Sequence, residues 1–197
     1  VGGTVSHHHI IRRENPNDPS SLRGVFAVED IKEGTVLADI PFSATIGPNN
    51  NEGDPKDICG TPLSLKREME LGDASFFAPY LKIIDRNPFL PFKYSKAGQL
   101  LLGKVFGLSI GWNIGSFLEW FEENCGLDIK NDPVGVQATL ISLTRSCSHI
   151  DFDGSLLVLY FDMFNFRGGR YLNTITQGNA AIFFVVASKD IPAGEQI

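Results

Sequence analysis

The pentapeptide Asp30-Ile31-Lys32-Glu33-Gly34 has a near echo at the other end of the chain, Asp190-Ile191-Pro192-Ala193-Gly194. No other feature constrains the fold as strongly. β-Branched and apolar residues flank the first copy from Gly24 to Val28 and from Thr35 to Pro41, and the run Ala180 to Ala187 leads into the second. Such residues suit a pleated, half-buried surface, and a glycine closing each bracket can take the positive φ that a tight connection often needs. The same strand–turn chemistry is therefore expected twice, near the two ends of the chain.

The composition between these β regions differs. Gly47 to Pro55 is a run of turn formers without hydrophobic period and reads as a surface loop. Ser64 to Leu71 contains good helix formers. Ile114, Phe117, Leu118 and Phe121 fall at i, i+3, i+4 and i+7, an apolar stripe that ends at Gly126. A further helix is expected where Asp132 can cap and Pro133 can take the first position, with Val134, Ala138, Ile141 and Arg145 on one face. Ser155 to Phe161 then reads as a buried strand. The expected layout is mixed β and α, with a β part over residues 1–46, a mostly helical insertion over 47–133 and a second β-containing part over 134–197.

Composition excludes several classes. With 197 residues and 43% hydrophobic content the chain can bury a sizeable core. A net charge of −6 argues against a phosphate-tracking surface, so no nucleic-acid partner is expected, and a basic protein segment suits it better. The longest apolar run, Ala180 to Ala187, is far shorter than the roughly 20 residues needed to span a bilayer. The N-terminus lacks the build of a signal peptide. Cys59, Cys125 and Cys147 are odd in number and contain no CxxC pair, so neither a disulfide framework nor a zinc cluster is expected. These features lead to the expectation of a soluble, intracellular protein in a reducing compartment. Consecutive residues on a strand face opposite ways, so His7-His8-His9 is expected to be a solvated stretch rather than a metal site.

A doubly wound nucleotide fold needs a glycine-rich turn between its first strand and helix. Gly168-Gly169 has no helix signal behind it and Gly2-Gly3 no strand before it. Any nucleotide-like cofactor would need a different architecture.

Three separated segments carry a family resemblance. Arg23-Gly24-Val25-Phe26-Ala27 with Asp30-Ile31 and Gly34, Asp162-Met163-Phe164-Asn165-Phe166, and Gly194-Glu195-Gln196-Ile197 together resemble the motifs of SET-domain protein methyltransferases. Thr144-Arg145-Ser146 is similar to the S-R-x-F element of the subgroup that contains Rubisco large-subunit lysine methyltransferase and actin histidine methyltransferase. The resemblance implies a SET fold, with small β-sheets, a knot-like C-terminal crossing and a large helical insertion. It further implies an S-adenosylmethionine-dependent protein-lysine methyltransferase, with protein-histidine transfer or a catalytically impaired interaction module as alternatives. A protein substrate and a monomer are expected.

By this resemblance, Arg23, Gly24, Val25, Arg145, Asn165 and Phe166 would bind cofactor, and Asp162 and His149 would face substrate. Gly24 has no side chain to hold the cofactor away from the backbone, or it is a simple strand entry. Arg145 is a permanent cation suited to a carboxylate, or a favourable charge at a helix C-terminus. Asn165 offers donors and acceptors to a zwitterion, or serves a turn. Phe166 stands where the subgroup has His. The Tyr that follows G-E-Q-I in relatives would lie past Ile197, so no catalytic residue is assigned, and the chain is expected to be a C-terminally truncated catalytic part without the subgroup's docking domain.

Overall fold

The computed structural model describes residues 3–18, 21–48, 58–86, 90, 94–106, 114–149, 152–165, 168–178 and 181–197. The chain divides into two compact units, one made of Val1–Ile46, Cys147–Asp153 and Leu157–Ile197, the other of Gly47–Ser146 and Gly154–Leu156.

The first unit is β-rich. The strands are β1 (Thr4–Val5), β2 (His9–Arg13), β3 (Arg23–Ala27), β4 (Val36–Pro41), β5 (Thr45–Ile46), β6 (Cys147–His149), β7 (Phe152–Val158), β8 (Thr174–Gly178) and β9 (Ile182–Ala187), all in this unit except Gly154–Leu156 of β7. They form a sheet ordered β1-β4-β9-β8, a pair β2-β3 and a sheet ordered β5-β7-β6. The central β4–β9 ladder is antiparallel, pairs Ala38 with Val185 and Ile40 with Phe183, and carries an irregularity between Val36 and Ala38. Leu37, Val185 and Val25 are fully buried. From Gly24 to Ala27, β3 is buried at every position, as a strand covered on both faces must be.

The two D-I-x-x-G turns meet each other. Ile31 and Ile191 exchange both backbone hydrogen bonds, at 2.9 and 2.8 Å. The Asp30 carboxylate accepts from the Ala193 N–H and the Asp190 carboxylate from the Glu33 N–H, both at 2.9 Å. Gly34 N–H donates to Ala187 O while Gly194 N–H donates to Ala27 O, both at 2.8 Å. Ala187 N–H donates to Thr35 O and Ala27 N–H to Glu195 O. Each bond has a mate 160 positions away, so the two turns form a locally two-fold junction. The glycine is required because Gly34 and Gly194 sit at φ 81° and 83°, a region that costs other residues about 1 kcal/mol or more. One exposed ion pair, Lys32 Nζ to Asp190 Oδ2 at 2.8 Å, decorates the junction.

The second unit is helical: α1 (Gly60–Leu71), α2 (Ala78–Ile83), α3 (Lys96–Phe106), α4 (Ile114–Cys125) and α5 (Pro133–Arg145). The expected cap is present, with Asp132 Oδ1 accepting from Gly135 N–H at 2.8 Å and Pro133 at the first position. α5 packs on α1. Its buried positions are Gly135, Ala138, Thr139, Ile141 and Ser142, so the expected Ala138 and Ile141 lie on the buried face while Val134 and Arg145 lie at its edge. Small side chains at i, i+3, i+4 and i+7 bring α1 close, whereas Val134 is only half-buried.

Three expectations need correction. The strand expected from Ser155 to Phe161 lies at Phe152–Val158, because Tyr160 takes φ 69° and residues 161–163 form a 3-10 turn. Cys59 and Cys125 form a disulfide, with Cα atoms 5.4 Å apart. An odd cysteine count does not say which pair the fold brings together, and the inference of a reducing compartment loses that support. The histidine run is not a uniformly solvated stretch, since His7 and His8 occupy a turn and His9 begins β2, buried, with Nδ1 3.1 Å from Ser6 Oγ. Burial, followed by the nearby His8, lowers the His9 pKa to about 4. Most of the expected surface loop, residues 49–55, lies outside the described residues. Among the described residues no helix is long and apolar enough to cross a membrane.

Candidate functional site

The site grows from one place on β3. Arg23 and Gly24 open that strand, and the last residues of the chain run beside it, with Ile197 N–H donating to Val25 O at 2.8 Å and Phe26 bridged to Gln196. Asn165 Nδ2 reaches across 142 positions to donate to Arg23 O at 2.9 Å. Buried Asn173 donates through Nδ2 to Gln196 O, also at 2.9 Å, and so fixes the segment that carries the Gln196 side chain.

Gly24 is the point of closest approach. A Cβ built there would stand 2.8 Å from Asn165 Nδ2 and nearer still to Gln196 Nε2. Two side-chain amides and a backbone carbonyl thus converge at Gly24, the amides filling the space that a side chain there would take. Neutral donors and acceptors beside the half-buried Arg23 are the groups that a zwitterionic amino-acid end requires, so these residues fit that part of S-adenosylmethionine.

Aromatic rings hold the segment that delivers Asn165. Phe161 packs edge-on against Phe183 at 4.8 Å between centroids, and Phe164 lies 5.8 Å from Tyr160 and 6.0 Å from His9. Burial pushes the Tyr160 phenol up to about 12. Such ring pairs contribute about 0.5–1.5 kcal/mol each beyond area burial. Asp162 sits half-buried in the 3-10 turn between these rings. Its charge reaches Cys147, whose thiol is pushed up to about 11, mainly by burial and further by Asp162.

The expected site residues fall into separate groups. Arg23, Gly24 and Asn165 are brought together, and Val25 joins them through its backbone, its side chain being fully buried. Asp162 lies within electrostatic reach of β6, which ends at His149. Arg145 ends α5 in the second unit. Phe166 lies outside the described residues. Gln196 and Asn173 were not assigned from sequence. Gln196 lies within Gly194-Glu195-Gln196-Ile197, whereas nothing in the sequence around Asn173 marks it. Tyr171 is 51% exposed, with the Arg170 guanidinium over its ring.

No family model and no curated protein matches this sequence. Solved structures do. The SET domain of LSMT bound to lysine and AdoHcy superposes with a TM-score of 0.66 at 16% identity, over 98% of this chain and 49% of that one. The same domain bound to MeLysine and AdoHcy gives 0.68 at 15% identity, with the same coverage. The fold is that of a SET domain. Rubisco LSMT bound to AdoMet also matches, with a TM-score of 0.62 at 14% identity. The chain spans about half the length of these matched chains, 48–49%. The mixed β and α class expected from the sequence, with small antiparallel sheets and a set of helices, is the SET architecture found here.

Proposed function

We propose that this SET fold binds S-adenosylmethionine and belongs to a protein N-methyltransferase acting on lysine. The observation that carries the reading is the convergence of Asn165, Gln196 and the Arg23–Gly24 backbone on one polar point. It is supported by the likeness to structures whose names include AdoMet, AdoHcy and lysine. In this proposal Arg23, Gly24, Val25, Arg145, Asn165 and Phe166 hold the cofactor, and Asp162 and His149 face the substrate.

The cofactor, when bound, supplies an electrophilic methyl group. The protein's contribution is positional: the acceptor amine must be neutral and in line, and water must be kept away. In this reading Asn165, tied to Arg23 O, orients the amino-acid end, and the Asp162 carboxylate attracts the incoming cationic side chain. Phe166 in place of the subgroup's His favours a second reading, a SET-like interaction module that keeps cofactor binding without transfer.

Calorimetric titration with S-adenosylmethionine tests the first step. Saturable binding is expected, weakened at least tenfold in Asn165→Ala. No binding overturns the proposal. Transfer of a labelled methyl group to a lysine-rich protein separates enzyme from module, amino-acid analysis of the product separates lysine from histidine, and Phe166→His raises the rate if that residue limits it.

A further inference from the structure

The histidine run divides at the start of β2. His9 turns inward, while His7 and His8 stay in the preceding turn, where the strict alternation of a strand does not apply. Opposite them is Glu29, in the turn that leaves β3. His8 Nδ1 lies 2.5 Å from Glu29 Oε1, and His7 Nε2 lies 3.8 Å from the same oxygen. The two imidazoles are 4.2 Å apart between centroids. One ligand atom from each of the three residues falls within 4.8 Å of the other two.

The backbone beneath this cluster is fixed. Val28 N–H donates to His8 O at 2.8 Å, and the next pair in the ladder is His9 with Ala27. The two turns are therefore held in register by main-chain bonds, and only side-chain torsions are left to adjust. Tetrahedral zinc with ligand distances of about 2.0–2.1 Å places its ligand atoms roughly 3.4 Å apart. The observed separations of 2.5 and 3.8 Å lie on either side of that value, on exposed side chains able to rotate.

We propose that His7, His8 and Glu29 form a divalent transition-metal site, with Zn²⁺ as the fitting ion, that staples the turn entering β2 to the turn leaving β3. Two imidazoles and one carboxylate are a borderline nitrogen and oxygen set, suited to Zn²⁺, Co²⁺ or Ni²⁺, whereas Mg²⁺ and Ca²⁺ require oxygen ligands. Water completes the coordination, since the His7 and Glu29 side chains are 86% and 52% exposed. The overall charge of −6 favours a cation at such a surface. Without the ion the same atoms satisfy each other through the His8–Glu29 contact, so the site needs no metal to keep its shape.

The test is calorimetric titration of the metal-stripped protein with Zn²⁺ at about pH 7.5, with Mg²⁺ as a comparison. One saturable Zn²⁺ site is expected, with affinity lowered at least tenfold in His8→Ala, in Glu29→Gln and in the His7→Ala/His8→Ala pair, and retained in Cys147→Ser. All three ligands lie at the surface, and unchanged circular dichroism verifies that the variants are folded. At Zn²⁺ concentrations about 100-fold above Kd the melting temperature rises by roughly 5–10 °C, and the histidine double variant shows no such rise. Zn²⁺ binding of equal affinity in the double variant, or no saturable binding by the unaltered chain, overturns the proposal.

Discussion

Replacing Gly24 with Ala tests whether the polar convergence on β3 depends on the missing side chain. The new Cβ would lie nearest Gln196 Nε2 and 2.8 Å from Asn165 Nδ2, so both amides must retreat, that of Asn165 by roughly 0.6 Å, to reach the 3.4 Å at which ordinary contact begins. The Asn165–Arg23 bond is 2.9 Å long, and a displacement of that size stretches or bends it towards the limit of a useful hydrogen bond. Losing it costs about 1 kcal/mol. Crowding two amides at a buried strand adds about 1–3 kcal/mol, and the stiffer unfolded chain returns about 0.4–1 kcal/mol. The expected net loss is about 1–3.5 kcal/mol, a fall in Tm of roughly 2–14 °C for a chain of this size. Thermal unfolding by circular dichroism reads it. Gly168→Ala is the control, since a Cβ there meets nothing within 4 Å, and its Tm should stay within a degree or so. If the clash with Asn165 is the cause, Gly24→Ala and Asn165→Ala combine to less than their sum. Full additivity, or a Gly24→Ala protein that melts with the unaltered chain, refutes the argument.

Three further outcomes are expected. Cys59 and Cys125 close a loop with a sequence separation of 66, which loop-entropy arithmetic converts to about 4 kcal/mol; the Cys59→Ser/Cys125→Ser protein should therefore unfold at distinctly lower denaturant, and titration of three thiols instead of one in denaturant without reductant would contradict the bond. The Cys147 thiol is raised to about 11 against 9 unfolded, so it stays protonated between those values in the native state, and folding loses stability as pH rises from about 9 to 11. Native Cys147 should accordingly alkylate slowly at about pH 8 and readily in denaturant, and equal rates would show that it is not shielded. Asp132→Ala removes the α5 cap and should cost about 1 kcal/mol in denaturant unfolding, with Asp132→Asn retaining most of it.

What the sequence disclosed follows from how local each cause is. The D-I-x-x-G turns were legible because a positive φ selects glycine within five residues, and the α5 cap because Asp132 and Pro133 act within one turn. On α5 the expected Ala138 and Ile141 are buried, while Gly135, Thr139 and Ser142 go inside in place of Val134 and Arg145, since the packing partner rather than apolarity decides which small residues face it. β7 was displaced because the φ of Tyr160 is imposed by its surroundings, not by a turn residue. The Cys59–Cys125 pair, the meeting of Glu29 with His7 and His8, and the bond from Asn173 to Gln196 join residues whose separation carries no local signal. At the candidate site, the motifs named Gly24 and Asn165, but only coordinates show that Asn165 holds the Arg23 carbonyl and that Gln196 shares the space above Gly24.

The two-fold junction has a consequence for biosynthesis. Ile31 leaves the ribosome 160 residues before Ile191, its hydrogen-bonding mate. At roughly 5–20 residues per second, that is an interval of roughly 10–30 s during which Ile31 and the Ala27 amide lack their native partners. Contacts of such long sequence separation also slow the final closure, because the loop entropy must be overcome before any bond forms. The nascent N-terminal strands are thus exposed to aggregation through their unpaired edges until the last residues are made.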